Sequence, residues 1–147
     1  MKMESEFTSP VGYTSSKTLC LSSFIFLTNV AVGLYTGHIW YAVLFGCLTL
    51  TSLAFHSTKN TSAKYADQFV IFLIFLYGGN ELYQKMTPEN RFESLVIVWT
   101  FLATVFLYFY GYATNQYCYC PEQCIADRYH SALQWVASLG HNMIMLL

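Results

Sequence analysis

Charge is what this sequence has least of. Asp, Glu, Lys and Arg make up 10% of its 147 residues, where soluble domains carry roughly 25%. So few charges cannot cover a water-facing surface, and an ordinary soluble domain is excluded. The net charge is -1 and no basic cluster is present, which argues against a nucleic-acid partner. A glycine-rich phosphate loop, an internal repeat and a low-complexity tract are also missing. No run of polar ligands lines a segment in the way that a transporter or channel needs.

What the chain has instead is apolar length. Hydrophobic residues make up 55% of it, gathered into runs rather than spread at helical or strand period. About 20 apolar residues cross a bilayer as a helix. The expectation is an all-α polytopic transmembrane helix bundle with about five spans, at 18–36, 38–56, 67–84, 93–113 and 129–147. Only the Thr36-Gly37 turn separates the first two. The fifth is amphipathic, and Arg128 alone would be a thin basic face for a helix lying in the interface. The polar, acid-bearing residues 1–17 lack the basic start and short apolar core of a cleaved signal. The first run is therefore read as a retained span, and 18–147 as a single transmembrane helical domain.

Lysines and arginines set the orientation. Lys2, Lys17, Lys59, Lys64 and Arg128 fall on one side, with Lys85 and Arg91 on the other. The N-terminus is expected in the cytosol of a multi-pass integral membrane protein. With five spans, the end of the second and the starts of the third and fifth share one membrane face, whichever way the bundle points. His56, Asp67 and His130 then meet in one leaflet.

Their spacing supports one site. Ser52 and His56 stand four residues apart and share a helix face, as do His130 and Gln134. Asp67 opens the third span, where a carboxylate suits the positive end of the helix dipole. Ionisable groups inside hydrocarbon are expensive and usually face the bundle or a cavity. Two imidazoles, a carboxylate, a hydroxyl and an amide at one depth are a donor set for zinc with an open water position. A plainer account stays open: histidines at headgroup level, Asp67 as an N-cap and Ser52 as a helix-packing hydroxyl.

Ser52-x-x-x-His56 followed eleven residues later by Asp67 resembles the alkaline ceramidase family and its superfamily of seven-span membrane hydrolases. That family closes on H-x-x-x-H and a small-residue stretch with glycine. Here "HSALQWVASLG" keeps His130 and Gly140 and places Gln134 at the second histidine. The resemblance implies a zinc cofactor at His56, His130 and the Gln134 position. It further implies Asp67 as base or orienter near a zinc-bound water, and Ser52 at the oxyanion. A lipid amide such as ceramide is the implied substrate, within the lipid bilayer as partner. Two features depart from the pattern: an amide is a weaker zinc ligand than an imidazole, and one span rather than three separates the helices of Asp67 and His130. His141 lies on nearly the same face as His130, but about 16 Å deeper at ~1.5 Å rise. A second copy of the chain (a homo-oligomer) is a candidate to supply absent helices. The other class considered is a non-catalytic small membrane protein with a structural or interaction role.

Cys118, Cys120 and Cys124 form C-x-C-x-x-x-C in the 114–128 loop. They suit juxtamembrane palmitoylation if cytosolic, a disulfide if the orientation is reversed, or a Cys₃His zinc knuckle with His130. Cys20 and Cys47 read as small packing residues. Asn80-Glu81 marks the third helix leaving the hydrocarbon. Tyr108, Tyr110 and Tyr112 read as an interfacial aromatic belt. "NTS" at 60–62 matches a glycosylation acceptor but falls on the expected cytosolic side.

Overall fold

The structure, a computed structural model, describes residues 16–147. Most of the polar tail, residues 1–15 with Lys2, lies outside the described residues. The fold is all-α, with no strand among the described residues. Its helices are α1 (Lys17–Ser23), α2 (Phe26–Thr36), α3 (Ile39–Thr58), α4 (Thr61–Lys85), α5 (Arg91–Val105), α6 (Gly111–Thr114) and α7 (Gln123–Leu146). A π turn over Phe106–Tyr110 joins α5 to α6, and a 3₁₀ turn over Tyr117–Tyr119 leads towards α7.

Three helical stretches are long and apolar enough to cross a membrane: Lys17–Thr36, Ile39–Thr58 and Arg91–Thr114. The third of these has only 11% of its most apolar window buried by protein. α4 and α7 have the length, at 25 and 24 residues, or roughly 36 Å each, but more polar compositions. The exterior is apolar all round, with Leu21, Trp40, Leu50, Phe69, Trp99, Phe109 and Trp135 exposed. A soluble monomer rarely shows so continuous an apolar surface.

Three expected boundaries move. The 18–36 run is two helices, because the Ser22 and Ser23 hydroxyls turn back to Leu19 O at 3.1 and 2.8 Å. The next amides bond three residues back, Phe24 N to Leu21 O and Ile25 N to Ser22 O. Hydroxyls that compete for helix carbonyls in this way tend to bend the helix. Gly37 ends α2 at φ 78, a left-handed cap that glycine adopts without strain.

α4 begins at Thr61 rather than 67, because Asn60 is its N-cap and accepts from Ser62 N at 2.8 Å. Asp67 is therefore no cap; it sits almost two turns inside the helix. α7 likewise begins six residues earlier than expected, at Gln123, which moves His130 to its second turn. The 57–66 loop shrinks to Lys59-Asn60, with Lys59 in a left-handed conformation at φ 55.

α7 is the central element. It packs against α1, α2, α5, the 3₁₀ turn and, more sparsely, α4, while α3 lies between α2 and α4. The apolar core comprises Phe26, Tyr41, Phe45, Leu48, Ile74, Ile97, Ile144 and Met145. Beside it lie buried polar side chains, Asn29, Ser52, His56, Gln134 and Ser138 among them. Polar inside and apolar outside is the arrangement that a lipid solvent favours.

Gly140 allows α5 and α7 to approach, since a Cβ there would stand 2.2 Å from Thr100 Oγ1. The tyrosines of the expected belt are clustered. Tyr108 and Tyr112 meet Tyr119, and Tyr110 and Phe106 meet Tyr117, fastening the 115–122 connection onto the π turn.

Candidate functional site

Ser52 and His56, one turn apart on α3, are 2% and 1% exposed. Gln134 faces them from α7. Its amide oxygen accepts from the Ser22 hydroxyl of α1. Its amide nitrogen lies 3.3 Å from Ser23 Oγ, 3.5 Å from Ser52 Oγ and 3.5 Å from His56 Nε2. Ser23 and Ser52 share a hydrogen bond at 2.9 Å. One amide thus ties three helices together.

His130 completes the group of imidazoles. Its ring stands perpendicular to that of His56, with centroids 5.1 Å apart. Nδ1 of His56 is buried and has no hydrogen-bond partner among the described residues. Ser52, His56, His130 and Gln134 therefore meet, as their spacing suggests. Asp67 is buried too, but it is turned to Thr51, whose hydroxyl donates to Oδ1 at 3.1 Å. Thr51 precedes Ser52 and points about 100° away around the helix.

Ser22 and Ser23 were not anticipated; the signal was a serine pair inside an otherwise apolar run. Asp127 and Ser16 form a second unanticipated pair. Ser16 Oγ donates to Asp127 Oδ2 at 2.5 Å while capping α1 through Leu19 N at 3.2 Å. Gln123 Nε2 donates to the other oxygen of Asp127 at 2.5 Å. At the adjoining α3–α4 turn, partial burial lowers the pKa of the Lys59 ammonium, and the Asp127 carboxylate opposes that shift.

A zinc centre asks for three or four strong nitrogen, oxygen or sulfur donors. Two imidazoles are available, their ring centroids 5.1 Å apart. The third position is a neutral amide already bonded to hydroxyls, and Asp67 is engaged elsewhere. Among the described residues, no three His, Cys, Asp or Glu side chains form a group that could hold a metal ion. The donor set falls one strong ligand short of the centre that the resemblance implies.

All five cysteines are free thiols, and among the described residues none stands with two further His, Cys, Asp or Glu side chains in a group that could hold a metal ion. Burial pushes the Cys118 thiol up to about 11. Comparison with family models, curated proteins and solved structures finds no match to this chain.

Proposed function

We propose that the chain is a multi-pass integral membrane protein of five spans with its N-terminus in the cytosol. In this reading it is a non-catalytic relative of the ceramidase-like hydrolases that its Ser52–His56–Asp67 spacing resembles. The place of the zinc centre is taken by a hydrogen-bonded keystone that holds α1, α3 and α7 in register. The observation that carries this reading is the Gln134 amide, bonded to Ser22 and set among Ser23, Ser52 and His56. Spans four and five of the bundle are α5 to α6 and α7, with α4 as the third. The excess of lysine and arginine on the N-terminal side supports the orientation.

A hydroxyl–amide–imidazole cluster suits a structural role. Each interhelical hydrogen bond in a membrane is worth about 0.6 kcal/mol, so the cluster together stabilises the bundle by a few times that. The test is turnover of a fluorescent lipid amide, such as a labelled ceramide, by detergent-purified protein in added zinc. The expected rate matches that of a His56→Ala control. Turnover that His56→Ala abolishes would overturn the proposal.

A second reading, zinc-dependent hydrolysis of a lipid amide, is favoured by the His56–His130 ring arrangement and the unpartnered Nδ1 of His56. It requires a further ligand at the Gln134 position. Stoichiometric zinc together with turnover would establish it.

A further inference from the structure

Outside the Gln134 cluster, the bundle holds a cleft of about 240 Å³ between α4, α5 and α7. Its walls are apolar and small, from Phe75, Gly79, Val98, Phe101 and Ala137, and His141 sits among them. Phe75 and Phe101 stack at 4.9 Å where α4 meets α5. Eleven residues separate His141 from His130, about 16 Å along the helix, so this place is distinct from the site already described.

His141 gives the cleft its chemistry. Its Nδ1 lies 3.3 Å from the hydroxyl of Tyr41, a side chain with no exposed surface. The ring also packs edge-on against Tyr41 and Phe45. When the buried phenol donates to Nδ1, the ring proton sits on Nε2, and among the described residues no group accepts it. Thr100 Oγ1 lines the same cleft beside Gly140, and its own proton is used on Ile97 O at 2.7 Å. The cleft therefore presents one free donor, His141 Nε2, and one kind of free acceptor, the hydroxyl oxygens of Thr100 and of Thr104, whose own proton is used on Phe101 O at 2.7 Å, with apolar walls around them.

That pairing of donor and acceptor matches a hydroxyl, which accepts one hydrogen bond and donates another. No lysine or arginine lines the cleft to balance a carboxylate, which disfavours a fatty acid. The volume lies below the ~300 Å³ at which pockets for drug-sized molecules begin, so the cleft has room for the hydroxyl and the first part of one alkyl chain, the rest running out along the apolar exterior. We propose that this cleft binds a long-chain lipid alcohol, its alkyl chain between α4 and α5 and its hydroxyl held by His141 and Thr100. The proposal rests on the membrane reading above and is independent of whether the Gln134 site binds zinc.

The experiment is photolabelling of the full chain in detergent with diazirine-bearing hexadecanol, followed by peptide mapping. Recovery of the protein from the membrane fraction is read first; a chain found in the aqueous fraction overturns the membrane reading, and this proposal with it. For the membrane-recovered protein, label is expected on 75–82, 97–104 and 137–144, competed by hexadecanol but not by palmitate or hexadecane. Gly79→Phe adds a ring at a residue that lines the cleft, with no heavy atom within 4 Å of its Cβ to oppose it, and should reduce that label while the protein elutes unchanged. His141→Leu should weaken hexadecanol competition about fivefold, the worth of one ordinary hydrogen bond. Label spread evenly over the outer faces, equal competition by all three lipids, or undiminished label in a folded Gly79→Phe protein would each overturn it. Should Gly79→Phe fail to fold, the competition series on the unaltered chain decides alone.

Discussion

Nε2 of His56 lies 3.5 Å from the amide nitrogen of Gln134. The position from which a third imidazole is implied is thus filled by the neutral group that ties α7 to α1 and α3. A glutamine and a histidine both reach this point from the same helix turn, but only the histidine is a strong metal donor. In the proposed reading, the identity of residue 134 separates a cluster that holds helices from one that holds an ion.

Asp67→Asn should leave the protein folded, because an asparagine oxygen still accepts from Thr51. The change in thermal stability in detergent should stay within about 0.5 kcal/mol, as for substitutions that disturb no buried contact. A large loss of stability or of bound metal would show that the carboxylate charge itself is used at the site.

Asn29→Ala should weaken the bundle. Asn29 donates from α2 to Ser138 O and to Asn142 Oδ1, both at 2.9 Å, and accepts from Ser138 Oγ at 2.5 Å. Losing three interhelical bonds at about 0.6 kcal/mol each predicts a cost near 2 kcal/mol. Unfolding in mixed detergent micelles measures it, and a neutral result would mean that α2 and α7 are held by apolar packing alone.

Gly140→Ala should drive α5 from α7, since the added methyl would meet Thr100 Oγ1. Overpacking of this kind costs about 1–3 kcal/mol. Thr100→Ala in the same chain should restore part of the loss. If the double variant is no better than the single one, the close approach of these two helices is wrong.

Cys118 supplies a pH test. Its pKa is pushed up to about 11 by burial, so its thiolate is scarce at neutral pH and grows about tenfold per pH unit up to that value. Alkylation of Cys118 in the folded protein should rise in that proportion between about pH 7 and about pH 9. Because the folded pKa lies above the ordinary thiol value of 9.0, the thiol form adds stability below pH 9, and that increment is lost as pH climbs towards 11. Rapid modification at neutral pH would place the residue at the surface.

Much of this arrangement was legible in the sequence. Four-residue spacing put Ser52 with His56 and His130 with Gln134, and the packing of α3 and α7 beside α1 brings His56 together with Gln134 and His130. Thr36-Gly37 announced its turn. Other features depended on local competition that hydropathy does not register. Asn60 captures the start of α4, and Asp67, well inside that helix, takes the Thr51 hydroxyl. Ser22 and Ser23 bend the first span and turn its polar atoms towards Gln134. His141 looked too deep to serve the His130 site, and it instead pairs with Tyr41 beside a separate cleft.

Zinc bound per chain, compared between the unaltered protein and Gln134→His after purification in detergent, tests the central claim most directly. The added imidazole should raise retained zinc from well below one ion per chain to near one. The same variant should unfold more readily without metal, having lost the bond to Ser22, and regain stability when zinc is added. One zinc already held by every unaltered chain, or no gain on introducing the histidine, would contradict the account.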